Sequence, residues 1–80
     1  MLEASRHPQF IRVFSKIRDN QLKEKIIKQI LKIKEKPEIG KPMKYGRKGT
    51  REVYIKPFRL SYLQNKNKIV FLDLYHKDEQ

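Results

Sequence analysis

Apolar residues near the start of the chain recur with the period of an α-helix. Phe10, Phe14 and Ile17 follow one another at i, i+4 and i+7, a spacing typical of a helix with one face packed on a core. Pro8 suits the first helical position, because the N–H that proline lacks has no intrahelical partner there. The pattern therefore predicts a helix that begins at His7-Pro8.

A second helical pattern follows after a short polar joint. Asp19-Asn20 interrupts the first pattern and can cap a new helix, which we expect to end near Lys36 because Pro37 follows. The joint is short, so the two helices are predicted to form a hairpin. The apolar residues of the second helix are Leu22, Ile26, Ile27, Ile30, Leu31 and Ile33.

The apolar period changes from 3.6 to 2 in the second half of the chain. Residues 37–50 contain two prolines and three glycines and are predicted to be a loop. Alternation then predicts two strands separated by a break at Pro57, and residues 69–74, apolar at five of six positions, predict a strand buried on both faces. Short turns make these three strands antiparallel.

The elements together predict one α+β domain over residues 1–80, with the order (β)ααβββ. A two-helix hairpin would pack on a small antiparallel sheet of three to four strands. The optional first strand would lie in residues 2–6, where the pattern is weak.

The chain is strongly basic, with 20 Lys and Arg against 9 Asp and Glu and a formal net charge of +11. Such an excess favours a polyanionic partner, usually nucleic acid, although a membrane surface or an acidic protein would also suit it. A Lys-rich or heat-adapted proteome is the alternative explanation of the charge. Residues 41–59 hold seven basic residues and one acid, and this concentration favours a binding surface.

Several classes of protein are not expected. The chain has no cysteine, so a disulfide framework and a cysteine-based metal site or nucleophile are excluded. Its two histidines do not suggest a metal site, and its three glycines form no phosphate-binding loop. No apolar run approaches the length of a membrane span, and no signal peptide is evident. We expect a cytoplasmic protein with neither a metal nor another cofactor.

Basic side chains on the predicted strands suggest a site for phosphate chemistry. Alternation places Arg59 and Ser61 on the face opposite Phe58 and Tyr62, and arginine matches the geometry of phosphate oxygens. If the last strand lies beside this one, a cluster would form that is able to support metal-free RNA cleavage by the ribose 2′-hydroxyl. The predicted members of the cluster are Arg51, Arg59, His76 and Lys77, with Tyr54 and Tyr75 able to stack on bases.

Four short segments follow one another along the chain: KPEIGKP at 36–42, GTREVYI at 49–55, FRLSY at 58–62 and LYHKDEQ at 74–80. Together and in this order, they resemble the RelE/ParE superfamily of toxins from type II toxin–antitoxin systems. Residues 36–42 (KPEIGKP) are similar to the family's NPELGKPL, and residues 49–55 (GTREVYI) to its GLRELRV strand. Residues 58–62 (FRLSY) are similar to YRLIY, and residues 74–80 (LYHKDEQ) to the C-terminal IGHRxxVY strand. The resemblance covers nearly the whole chain and implies a RelE-like α+β fold.

The resemblance also implies a function. It implies a toxin that is neutralised by a cognate antitoxin protein and that, in the RelE branch, cleaves messenger RNA in the ribosomal A site without a metal. The catalytic residues would be Arg59, which matches the arginine of YRLIY, with His76 and Lys77 on the last strand. Glu52 and Tyr54 stand where some relatives carry two lysines.

The basic segment 41–51 would bind ribosomal RNA. Two other functions remain open: a ParE-like inhibitor of DNA gyrase, and a nucleic-acid-binding module without catalysis. The residues predicted to contact RNA are Lys44, Arg47, Lys48, Arg51, Tyr54 and Lys56.

Overall fold

The computed structural model describes residues 3–43 and 49–76. Strands and helices follow one another in the order βααββββ, with a single 3-10 turn between the second helix and the second strand. The elements are β1 (Glu3–Arg6), α1 (Pro8–Lys16), α2 (Asn20–Glu35), the 3-10 turn (Pro37–Ile39), β2 (Lys41–Pro42), β3 (Thr50–Ile55), β4 (Phe58–Asn65) and β5 (Lys68–His76).

Both helices begin where the sequence predicts. His7 is the N-cap of α1, and its Nδ1 accepts a hydrogen bond from the backbone N–H of Gln9 at 3.0 Å. Asp19 is the N-cap of α2, and its Oδ1 accepts from the N–H of Gln21 at 2.9 Å. Each side chain satisfies a backbone donor that the helix itself leaves without a partner, which explains why the chain enters a helix at these two points.

The sheet has five strands in the order β1-β5-β4-β3-β2 and is mixed. The strands β3, β4 and β5 are antiparallel neighbours, as predicted. In addition, β2 pairs antiparallel to β3, whereas β1 pairs parallel to β5. The α+β class and the helical hairpin are confirmed, and the weakly predicted first strand exists. The expected sheet of three to four antiparallel strands is corrected to five mixed strands.

The segment 37–50, predicted to be a loop, contains the 3-10 turn and β2. Lys41 of β2 pairs with Glu52, and Pro42 pairs with Arg51. Two residues are too few to show an alternating pattern. Proline is tolerated here because β2 lies at the edge of the sheet, and no further strand among the described residues needs its N–H.

A β-bulge in β5 explains why its apolar run does not alternate regularly. Ser61 of β4 pairs with Asp73, whereas the next residue, Tyr62, pairs with Phe71, so Leu72 is an extra residue in β5. Phe71 and Leu74 are consequently both buried in the core, although they are three positions apart. Leu72 is only half-buried, so the expectation of a strand buried on both faces is met only in part.

One hydrophobic core lies between the two helices and one face of the sheet, and α1 packs directly on β5. We call this face of the sheet the inner face and the opposite one the outer face. The described part of the chain contains no helix that is long and apolar enough to cross a membrane. The buried core residues are Phe10, Ile17, Ile26, Ile33, Ile55, Leu60, Tyr62, Ile69, Phe71 and Leu74.

Candidate functional site

Three polar side chains from three neighbouring strands are hydrogen-bonded on the outer face. Glu52 lies on β3, Arg59 on β4 and Tyr75 on β5, and Arg59 and Tyr75 are direct cross-strand partners. Arg59 Nη1 donates to Glu52 Oε1 at 2.8 Å, and the Tyr75 hydroxyl donates to Glu52 Oε2 at 2.6 Å. Both oxygens of one carboxylate are thus engaged, which fixes its orientation. We call Glu52, Arg59 and Tyr75 the outer cluster.

The outer cluster is partly open to solvent. The side chains of Arg59 and Glu52 are 30% and 20% exposed, so an approaching ligand can reach both. The Nε of Arg59 is buried and has no hydrogen-bond partner in the part of the chain that the structure describes. A ligand that approaches from solvent would therefore contact the exposed part of the Arg59 side chain and not the buried Nε.

The outer cluster combines a carboxylate and a guanidinium, two groups that are able to act on phosphate esters. A carboxylate can accept a proton from a hydroxyl group, and a guanidinium can stabilise negative charge that develops on phosphate oxygens. The described residues contain no cluster of three or more His, Asp or Glu side chains that could hold a metal ion.

Arg51 does not join this cluster. It pairs with Tyr62 on the inner face, and its Nη1 donates to the backbone carbonyls of Gly40 at 2.7 Å and Glu38 at 3.3 Å. The Tyr62 hydroxyl donates to the carbonyl of Pro37 and accepts from the N–H of Gly40. Arg51 and Tyr62 therefore fasten the segment between α2 and β2 to the sheet.

Burial has a chemical consequence at Tyr62. Desolvation raises the pKa of this phenol above its usual value, outweighing the opposite effect of its backbone hydrogen bond with Gly40. The phenol is consequently held in its neutral form over a wider range of pH than an exposed tyrosine.

His76 also lies away from Arg59. It pairs across the sheet with Phe58, and the two rings are 5.8 Å apart in an edge-to-face arrangement. Phe58 packs against the hydrophobic core, so His76 lies on the inner-face side at the end of β5. The predicted grouping of Arg51, Arg59 and His76 is therefore not formed, because successive strand residues point to opposite faces. A catalytic role of His76 stays a prediction.

The other predicted site residues fall into two groups. Tyr54 lies next to Arg59 in the register of β3 and β4 and is 52% exposed, and Lys56 is exposed in the turn between these strands. The remaining ones lie outside the described residues: Lys44, Arg47, Lys48 and Lys77.

Sequence reasoning missed Glu52 as a member of the site. Residues 41–59 contain seven basic residues and one acidic residue, Glu52. A lone acid in a basic segment is the feature of the sequence that could have indicated a role for Glu52 in the site. A two-residue turn at 56–57 pairs Tyr54 with Arg59 and Glu52 with Ser61, which makes Glu52 and Arg59 diagonal neighbours within reach of long side chains.

Comparison with known protein families identifies the family of this chain. A family model described as "ParE toxin of type II toxin-antitoxin system, parDE" matches residues 4–80. The chain therefore belongs to this toxin family, within the RelE/ParE superfamily. A comparison with curated protein sequences gives no match.

Solved structures of other toxins have the same fold. The isolated RelE toxin of E. coli superposes with a TM-score of 0.84 at 13% identity, covering 100% of this chain and 88% of that one. RelE in the intact E. coli RelBE toxin–antitoxin complex gives 0.81 at 15% identity, covering 100% of both chains. The YoeB dimer of Staphylococcus aureus gives 0.80 at 23% identity, covering 94% of this chain and 97% of that one. The predicted RelE-like fold is confirmed.

Proposed function

We propose that this toxin is a ribosome-dependent messenger RNA endoribonuclease that works without a metal ion and is neutralised by a cognate antitoxin. The observation that carries the proposal is the outer cluster, in which one carboxylate is held between a guanidinium and a phenol. Glu52 and Arg59 are the two catalytic residues of this proposal, and Tyr75 is a positioning residue.

The proposed reaction is an internal transesterification. Glu52 takes the proton of the ribose 2′-hydroxyl, and the 2′-oxygen attacks the adjacent phosphorus. The bond between phosphorus and the 5′-oxygen breaks, and the leaving oxygen takes a proton from water. Arg59 stabilises the negative charge that builds up on the phosphoryl oxygens. The products are a 2′,3′-cyclic phosphate and a free 5′-hydroxyl.

Net charge supports an RNA partner. The formal charge of +11 on 80 residues favours association with the ribosome, which presents a dense array of phosphates. Lys44, Arg47 and Lys48 stay the predicted contacts to ribosomal RNA. E. coli RelE was crystallised with its antitoxin. We propose that the antitoxin of this chain is acidic, because opposite charge speeds the association of two proteins. When bound, this antitoxin would cover the outer cluster.

The test is mapping of new 5′ ends on a defined message in a purified translation system with an empty A site. Wild type should produce ends with a 5′-hydroxyl inside the A-site codon. Glu52→Gln keeps the size of the side chain but removes its basicity, so cleavage should fall by about 10²-fold or more. Glu24→Gln, an exposed carboxylate on α2, is the matched control and should cleave like wild type.

The nuclease is contradicted if active wild-type toxin leaves the message intact. It is also contradicted if Glu52→Gln cleaves at the wild-type rate, because the proposed base would then be unnecessary.

A second candidate function is inhibition of DNA gyrase, which the match to the ParE family model favours. An inhibitor binds through a surface and needs no general base, so Glu52→Gln should inhibit gyrase as well as wild type does. A supercoiling assay with both proteins tests this alternative. If wild type and Glu52→Gln both inhibit gyrase and the message stays intact, the toxin is a gyrase inhibitor and not a nuclease.

A further inference from the structure

A groove of about 540 Å³ lies between α2 and the edge of β3 and adjoins the outer cluster. We propose that it binds the stretch of single-stranded RNA next to the cleaved phosphate. This inference rests on the proposed function and adds a substrate site to it. The groove is lined by Lys32 of α2, Ile39 and Lys41, together with Glu52, Tyr54 and Arg59.

The groove exists because β2 is short. β2 pairs with Arg51 and Glu52 only, so within the described residues the edge of β3 beyond Glu52 has no neighbouring strand. Lys32 on α2 forms the opposite wall. An unpaired stretch of strand edge next to a helix leaves a groove, and Arg59 is one of the residues that line it.

Charge in the groove favours a chain of phosphates. Among the described residues that line the groove, Lys32, Lys41 and Arg59 contribute three cations, whereas Glu52 is the only carboxylate and is already paired with Arg59. Lys32 and Lys41 are both exposed, and each can approach a phosphate as a point charge. The spread of the cations from the helix to Arg59 suits a ligand with several negative charges in a row.

Tyr54 favours RNA over an acidic peptide as the occupant. Tyr54 is 52% exposed, and it is the cross-strand partner of Arg59. A base stacks on such a ring whatever its sequence, and this is the common way in which single strands are held. A nucleotide beside the reacting one would thus meet a stacking surface and two lysines.

Fluorescence anisotropy with a labelled RNA hexamer tests the groove directly. The probe is 2′-O-methylated throughout, so it cannot be cleaved. The double variant Lys32→Gln/Lys41→Gln should bind about tenfold more weakly near 0.1 M salt, and its log–log salt slope should fall by about 1.4, since each single-strand phosphate contact contributes about 0.7. Tyr54→Ala should weaken binding about tenfold with no change in slope.

The matched control is Lys16→Gln/Lys68→Gln, which removes the same charge at two exposed positions away from the groove. The proposal is overturned if this control loses as much affinity as the groove variant, because binding would then follow net charge alone. It is also overturned if the groove variant loses affinity for a polyglutamate peptide but not for the RNA, because the groove would then be a protein-binding site.

The experiments distinguish a failure of the RNA-binding proposal for the groove from a failure of the nuclease proposal. Loss of hexamer binding in the groove variant, combined with an uncleaved message for wild type in the translation assay, supports the groove and overturns the nuclease. Cleavage by wild type, combined with unchanged hexamer binding in the groove variant, supports the nuclease and overturns the groove.

Discussion

Two arginine–tyrosine pairs connect neighbouring strands of this sheet, and the two pairs have different roles. Arg51 pairs with Tyr62 on the inner face, and Arg59 pairs with Tyr75 on the outer face. The inner pair binds backbone atoms at Pro37, Glu38 and Gly40, whereas the outer pair binds one carboxylate, that of Glu52. The same two residue types thus stabilise the fold on one side and build a candidate reaction site on the other.

The difference between the pairs comes from what each face of the sheet meets. On the inner face the helices and the segment after α2 lie over the strands, so a polar side chain there must satisfy buried backbone groups. Tyr62 is completely buried. On the outer face Arg59 and Glu52 keep part of their surface in solvent, so an ion pair there can be displaced by a ligand.

Replacing each arginine separately should distinguish the two pairs, and Arg59→Ala should give the largest single effect. Arg59→Ala should reduce message cleavage by about 10²- to 10³-fold, because the charge on the phosphoryl oxygens loses its cation, and should leave the free energy of unfolding nearly unchanged. Arg51→Ala should cost about 1–2 kcal/mol of unfolding free energy, because two carbonyls lose a charged donor. Urea unfolding and 5′-end mapping of both variants check this prediction.

The comparison fails if the effects are reversed. Rapid cleavage by a folded Arg59→Ala variant would show that the outer pair takes no part in catalysis. A folded and fully stable Arg51→Ala variant would show that the inner pair does not fasten the segment after α2.

Adding one methyl group at Gly40 should give the next largest effect. A Cβ at this position would collide with the hydroxyl and ring of the buried Tyr62, and a crowded core has little room to adjust. Gly40→Ala should therefore lower the free energy of unfolding by about 3 kcal/mol, measured by urea denaturation. Close approach is the reason for the glycine here, since its φ of −76° is open to any residue.

A double variant provides the control for Gly40. In a Tyr62→Phe background the nearest colliding atom is gone, so Gly40→Ala should cost less than it does in wild type. Equal costs in the two backgrounds would show that the collision with the hydroxyl is not the cause.

Removing one hydroxyl from each tyrosine should give a smaller effect. Tyr62→Phe leaves the carbonyl of Pro37 and the N–H of Gly40 without their buried partner, so it should cost about 2 kcal/mol. Tyr75→Phe should cost about 0.5 kcal/mol, because water can replace its hydroxyl beside the partly exposed Glu52. Thermal unfolding of the two variants, which differ from wild type by the same single atom, measures the contrast; equal losses would contradict it.

Local signals in the sequence were enough to predict most of the fold. The caps His7 and Asp19 act within two or three residues, and the β-hairpin around Pro57 needs only a short turn. The parallel pairing of β1 with β5 joins opposite ends of the described chain, and no local pattern encodes it. The bulge at Leu72 depends on packing against β4, so the apolar run of β5 gave no sign of it.

The candidate site could be predicted only in part. Alternation placed Arg59 on the outer face correctly. Position along the chain alone puts Arg51 near Arg59, but counting back through the β-hairpin pairs Arg51 with Tyr62 on the inner face. The place of His76 on the last strand likewise suggests a position near Arg59, but the strand register pairs His76 with Phe58, and this register is a tertiary feature.

Raising the pH should give the smallest effect and should act through the inner tyrosine. Burial raises the pKa of Tyr62 in the folded protein, whereas in the unfolded chain the pKa is about 10. Between these two values the unfolded state has lost the proton and the folded state has kept it. The contribution of this group is therefore fully present below about pH 10 and is lost as the pH rises toward the folded pKa. The difference in urea stability between wild type and Tyr62→Phe should consequently shrink above about pH 10. A difference for Tyr62→Phe that does not change with pH would show that the phenol titrates alike in the folded and unfolded states, and that its burial does not set the inner pair apart from the outer one.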